Sequence, residues 1–220
     1  MDKLISGLAK FQSDSFAEHK QLFESLATGQ NPEVLFITCS DSRIDPNLIT
    51  QTKPGDLFIC RNAGNIVPPH SSNTGGITAS IEYAVEVLGV AHVVVCGHSD
   101  CGAMKGAMNP DSIKALPHVS NWLGHSSAAL ARVTARHGGE MCADHLGEMI
   151  EENVSMQLKH LETHPSVAAK MATGRVSLHG WVYDIASGSV RCYDRSSDTF
   201  MAVEDRYADI LQRLETSDQA

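Results

Sequence analysis

Three short runs of apolar, mostly branched residues constrain this chain more than anything else in it: "VLFITCS" at 34–40, "LFICRN" at 57–62 and "HVVVCG" at 92–97. Their apolar stretches are too continuous to alternate between core and solvent, so each is predicted as a strand buried on both faces. Such a sheet needs helices above and below it, and the connections supply them. "DPNLITQ" (45–51) suits a short helix with Asp45 as N-cap and Pro46 in the first turn, followed by a turn at "KPGD" (53–56). A loop (63–76) and an amphipathic helix, "ITASIEYAVEVLG" (77–89), closed by Gly89, separate the second and third runs. The order β-α-β-α-β predicts an α/β fold with a mainly parallel sheet flanked by helices.

The remainder extends that unit. Leu4, Leu8, Phe11, Phe16, Phe23 and Leu26 fall at roughly helical spacing, so residues 1–28 are expected to be helical, with Asp14 or Ser15 as a second N-cap. "TGQNP" (28–32) stops that arm. Helices are also expected over 116–137 and 143–163, and an amphipathic one over 203–214. "RVSLHGWVYDIASGSVRCYD" (175–194) reads as two strands joined by a tight turn at Ser187–Gly188. No repeat, low-complexity segment or linker interrupts the chain. The economical organisation is one domain over 1–220: an N-terminal helical arm (1–30), an α/β core with a helical insertion (31–195) and a C-terminal helix (196–220).

Charge and composition narrow the partners. The net charge is −9, from 17 basic and 26 acidic residues, with no local basic cluster, so no nucleic-acid partner is expected. No apolar run approaches the ~18 residues of a membrane span. Asp2 and polar residues occupy the start, where a signal peptide needs an apolar stretch. A cytoplasmic location without a membrane partner is therefore expected, and with it no structural disulfide among the six cysteines. Most of the eleven histidines are scattered singly and suit ordinary solvated or core positions.

Chemistry gathers where two of the strands end. The first run closes in "CSDSR", placing Cys39, Asp41 and Arg43 at its carboxyl end. The third runs into "GHSDCG", with His98 and Cys101 three apart. In open parallel sheets, sites form at the carboxyl ends of strands where successive connections diverge. If the second and third strands flank the first, Cys39 and His98 meet there and Cys101 joins from the following turn. A Cys₂His set with an open fourth position is a catalytic zinc set. A short helix from Gly102 through Met108 would favour the Cys101 thiolate.

Other cysteine readings are weaker. Cys60 and Cys96 sit inside apolar runs as core residues, Cys142 and Cys192 carry no supporting pattern, and a Cys39–Cys101 redox pair lacks C-x-x-C spacing. Asp41 and Arg43 are two apart and share one side of an extended segment. They are either a surface ion pair of ~0–1 kcal/mol or a carboxylate oriented by a guanidinium beside the metal.

"CSDSR" followed by "GHSDCG" resembles the β-class carbonic anhydrases, and "GDLFICRNAGNIVPP", "GGITASIEYAVEVLGV", "ENVSMQLKHLETHPSV" and "LHGWVYDIASG" are similar to family segments. The resemblance covers roughly residues 20–195. It implies reversible hydration of carbon dioxide to bicarbonate and a proton, with one zinc per chain on Cys39, His98 and Cys101 and an Asp41–Arg43 dyad. It also implies an antiparallel C-terminal strand and a homodimer, often paired into tetramers or larger assemblies, whose substrate cleft lies at the dimer interface. Gln30, Phe58, Ala63, Tyr83 and Gly102 match the cleft positions, some facing the neighbouring chain's zinc; Ala63 stands where many members carry a bulkier aliphatic residue. Members in which bicarbonate drives the aspartate onto zinc share a Trp and a Gly where this chain has Phe36 and Thr38. Arg61 and Tyr183 do match that inhibitory site, but strong bicarbonate inhibition is not expected. Two rival readings remain: a carbonyl sulfide or carbon disulfide hydrolase with the same ligands, and a structural zinc protein, which would close its site with a fourth ligand, Asp41 being the only nearby candidate.

Overall fold

The apolar runs pair into one six-stranded sheet in the computed structural model, which describes residues 1–72 and 75–217. The strands are β1 (Val34–Cys39), β2 (Leu57–Asn62), β3 (His92–His98), β4 (Ser177–Tyr183), β5 (Val190–Asp194) and β6 (Thr199–Ala202). Their order is β2-β1-β3-β4-β5-β6, parallel from β2 to β4 and antiparallel across β5 and β6. The second and third strands do flank the first. Cys39 pairs with Asn62, and Thr38 with Cys96, so the carboxyl ends of β1, β2 and β3 finish nearly level.

Side chains alternate even in these continuous apolar runs. Leu35, Ile37, Val93 and Val95 enter the main core, whereas Phe36, Val94 and Cys96 pack on the other face near Trp181 and Tyr183. The Leu146–Glu162 helix lies across β3 and β4. Gly97 and Gly180 make that approach possible. A Cβ on Gly97 would stand 2.8 Å from Val154 Cγ2, and one on Gly180 would stand 2.9 Å from Val154 Cγ1. The residue just before His98 is thus pressed against a long helix, which fixes the end of β3.

Several elements differ from expectation. β6 lies within the segment expected to be only a C-terminal helix. The Asp194 carboxylate accepts from Ser196 Oγ, Ser197 N and Ser197 Oγ, at 2.5, 3.1 and 2.8 Å, and this turn folds "TFMA" back onto β5. Helices Val203–Arg206 and Ala208–Ser217 follow. The helix Pro165–Ala172 is additional to those expected. The 116–137 span divides into Pro117–Leu123 and Ser127–Arg136, joined by the 3₁₀ turn Gly124–Ser126. Asp14 and Ser15 do not cap a new helix; they lie in a π-helical turn, Phe11–Ser15. An α-helix would set Phe11 and Phe16 on different faces, but the wider turn aligns them. Their rings meet at 6.1 Å between centroids, and both pack on Phe23. Residues 73 and 74 of the expected 63–76 loop, and 218–220 of the C-terminal segment, lie outside the described residues.

No disulfide joins the six cysteines; five are buried and Cys142 is exposed. Among the described residues no helix is long and apolar enough to cross a membrane.

The C-terminal helices are tied to the sheet by an aromatic cluster. His179 on β4 lies 3.1 Å from the Tyr207 hydroxyl through Nδ1 and 3.2 Å from His92 Nδ1 through Nε2. Trp181 Nε1–H donates to the same hydroxyl at 3.2 Å. Burial, then the charges of His92 and Arg206, push the His179 pKa down to about 4. An unfolded histidine titrates near ~6.5. Between those values the unfolded chain binds a proton that the folded chain refuses, so stability is lost as pH falls through this window. Burial lowers His160 and His164 in the same sense. Replacing His179 with Gln is expected to flatten, though not abolish, the fall in Tm between about pH 6.5 and 4. An unchanged slope in thermal denaturation would contradict this assignment.

Candidate metal centre

Cys39 ends β1, His98 ends β3, and Cys101 immediately precedes the helix Gly102–Met108. One donor atom from each lies within 4.8 Å of the others, and all three residues are buried. His98 Nδ1 is 2.9 Å from the Ser99 carbonyl. A carbonyl only accepts, so Nδ1 carries the proton and Nε2 keeps its lone pair. That Nε2 is buried with no hydrogen-bond partner. Its nearest carboxylate oxygen, Asp41 Oδ2, stands 3.8 Å away, beyond hydrogen-bond reach. A buried lone pair without a donor is costly. Facing two thiols, it fits a divalent cation of borderline softness such as zinc.

The two sulfurs titrate as a pair. Cys39 is held down to about 4, first by the hydrogen bond from Cys101 and then by the backbone N–H groups of Gly64 and Asp41, against burial, which raises it. The Cys101 thiol is pushed up by the Cys39 sulfur beside it and by burial, although the Ala103 and Met104 N–H groups at the helix start pull it down. One thiolate forms readily, and the second proton stays until a cation supplies compensating charge.

Backbone geometry delivers one of these donors. Gly64 N–H reaches Cys39 Sγ at 3.3 Å from a left-handed residue with φ +82°. A Cβ there would lie 2.9 Å from Met104 Cε and 3.0 Å from Ala103 Cβ, so the position requires glycine. Asn62 clamps the loop by accepting from Ile66 N at 2.7 Å and donating to Ile66 O at 2.9 Å. Asn153 Nδ2, on the long helix, donates to the Gly64 carbonyl at 3.1 Å. Sequence reasoning missed these supports; the only local sign was "AGN" after a strand.

Asp41 and Arg43 form a bidentate pair, Nε to Oδ1 at 2.9 Å and Nη2 to Oδ2 at 2.8 Å, with Arg43 N–H also on Oδ1 at 3.0 Å. The Arg43 hydrogen bonds hold the Asp41 carboxyl well below the usual carboxylate range. Asp41 is therefore an ionised acceptor across working pH, engaged by Arg43. Arg61 pins the same turn, donating to the Cys39 carbonyl at 3.0 Å and the Asp41 carbonyl at 2.7 Å.

The five residues expected in the cleft divide. Ala63 follows β2 beside the centre, its carbonyl accepting from Trp122 Nε1–H at 2.9 Å. Gly102 opens its helix next to Cys101 with free space where a Cβ would point. Phe58 pairs with Leu35 at the far end of β2, four residues before Asn62, or about 13 Å along the strand. Tyr83 packs near Phe58, ring centroids 6.0 Å apart, and Gln30 is exposed ahead of β1. Within one chain these three stand apart from the thiols. Phe36 is buried edge-on against Trp181, and Thr38 Oγ1 donates to the Cys96 carbonyl at 2.8 Å.

Comparison with known proteins agrees with this architecture. The family model for carbonic anhydrase matches residues 34–190. A carbonic anhydrase of Pseudomonas aeruginosa is 50% identical over 204 residues, covering 92% of each chain. One from Synechocystis is 44% identical over 220 residues, all of this chain and 79% of the relative. The structure of the β-carbonic anhydrase CcaA superposes with a TM-score of 0.88 at 46% identity, covering 92% of this chain and 98% of that one. A tetrameric β-carbonic anhydrase from Sordaria macrospora gives 0.75 at 30% identity, covering 92% and 100%. Sequence and fold agree across most of the length, and the chain belongs to the β-class carbonic anhydrases.

Proposed function

We propose that this chain interconverts carbon dioxide and bicarbonate at a zinc ion held by Cys39, His98 and Cys101, with Asp41 and Arg43 orienting the attacking water. The observation that carries the ligand set is the buried, partnerless Nε2 of His98 beside two coupled thiols. Bound there, zinc supplies the Lewis acidity that makes water a nucleophile near neutral pH. Cys39 and Cys101 contribute two negative charges as thiolates, so the set carries less residual positive charge than three imidazoles would leave. Asp41 offsets this. As an acceptor-only carboxylate it takes the hydrogen bond of the attacking water and turns a lone pair toward carbon dioxide. Arg43 keeps Asp41 ionised and aimed, and that engagement disfavours Asp41 as a fourth, closing ligand.

The rest of the cleft comes from a second copy. Gly102 and Ala63 line the zinc side of one chain, whereas Gln30, Phe58 and Tyr83 serve the neighbour's site. Phe58 lies too far from its own thiols to act on them, and Tyr83 is 45% exposed. The arm supports the same reading, because Leu4, Ile5 and Leu8 are each more than half exposed. A homodimer or larger homo-oligomer covers these groups.

Replacing Asp41 with Ala is expected to leave one zinc per chain and the fold intact while lowering kcat/KM about 100-fold. Loss of zinc together with unfolding would instead mark a closed structural site. Phe58→Arg should fold and bind zinc normally yet lose most hydration activity, because the charge enters the partner's apolar cleft. Full activity in that variant would remove Phe58 from the cleft.

A further inference from the structure

Arg43 uses only part of its guanidinium on Asp41. The other edge, Nη1, meets Asp100 Oδ2 at 3.1 Å, and Nη2 lies 3.4 Å from the Asp100 carbonyl. Asp100 sits between His98 and Cys101 in a left-handed conformation, φ +59°. Few residues other than glycine, chiefly Asn and Asp, adopt it at low cost. Its second oxygen, Oδ1, is in contact with Lys105 Nζ on the helix that follows Cys101. The charges therefore alternate from Asp41 through Arg43 and Asp100 to Lys105, linking the turn after β1 to the turn and helix after β3.

We propose that Asp100 is a positioning residue for carbon dioxide hydration, fixing the free edge of the Arg43 guanidinium so that Asp41 is held in one orientation. This rests on the role of Asp41 given above. The Arg43 side chain is 43% exposed, so water competes for it, and its bonds to Asp41 alone join residues of one short turn. Such a pair can pivot as a unit on its two stems. A second carboxylate, 57 residues away in sequence, ties the guanidinium to the other strand end and stops that pivot. Lys105 holds Asp100 in turn, so both Asp100 oxygens are engaged.

Two substitutions separate carboxylate from backbone. Asp100→Gly keeps the left-handed conformation and the carbonyl near Arg43 but removes the carboxylate contacts with Arg43 and Lys105; Asp100→Asn keeps the conformation and one neutral acceptor. The Gly variant is expected to retain one zinc per chain and an unchanged circular dichroism spectrum while losing about tenfold in kcat/KM, as for a slightly misplaced catalytic group. The Asn variant should recover most of that loss. In an Arg43→Lys background Asp100→Gly should cost less than about twofold, because the two residues act as one unit. Arg43, with Nη1 freed, should react with phenylglyoxal several times faster in the Gly variant, read by peptide mass spectrometry. Unchanged kcat/KM in the Gly variant, an Asn variant no better than Gly, or an equal loss in both Arg43 backgrounds would overturn the proposal. If Asp41→Ala proved fully active, the Asp41 reading would fail instead, and faster Arg43 labelling would still show that Asp100 holds the guanidinium.

Discussion

The parallel pairing of β1 with β3 is the constraint on which the rest depends. A side chain on one strand reaches the other's end only if both stop at the same level, and the Thr38–Cys96 pairing makes them do so. Placing β2 on the opposite side of β1 leaves a crevice at the carboxyl ends of the strands, the usual place for a site in an open α/β sheet. The long helix over Gly97 then fixes the end of β3, and His98 inherits that position. A slip of one residue would turn His98 to the other face of the sheet.

Within the crevice, electrostatics divides the labour. The coupled sulfurs hold one proton between them until a cation arrives, and Asp41 stays ionised throughout. Negative charge therefore accumulates around a single buried nitrogen lone pair. Arginines compensate from outside: Arg61 on the carbonyls of the turn, Arg43 on the carboxylate. The centre is anionic at its heart and cationic at its rim, which suits a divalent ion inside and a bicarbonate ion leaving.

Much of this was legible in the sequence, for physical reasons. β1 and β3 announce themselves because buried parallel strands are continuously apolar and bounded by Pro, Gly and Asp; β2 carries the same pattern, but as an edge strand it buries only Cys60 and leaves Ile59 and Arg61 exposed. The thiols, the histidine and the dyad stand at strand ends, where chain order alone predicts a site. β6 was not legible, because four residues at a sheet edge carry little pattern and a serine-rich turn decides their direction. The Phe11–Ser15 turn depends on three rings finding one another. Asn153, 89 residues from Gly64, and Asp100, dependent on a left-handed backbone, are visible only in three dimensions. Phe58 and Tyr83 lie together at the far end of β2, and the cleft role proposed for them depends on a second chain.

The central claim is that His98, Cys39 and Cys101 make a catalytic zinc centre rather than a structural one. Its most direct test is stopped-flow measurement of carbon dioxide hydration at about pH 8, where a water activated to a pKa near ~7 is mostly ionised. The purified protein would be assayed as prepared, after zinc chelation and after zinc return. Fast hydration that chelation abolishes and zinc restores is the predicted result. One tightly bound zinc per chain without measurable hydration would contradict the account.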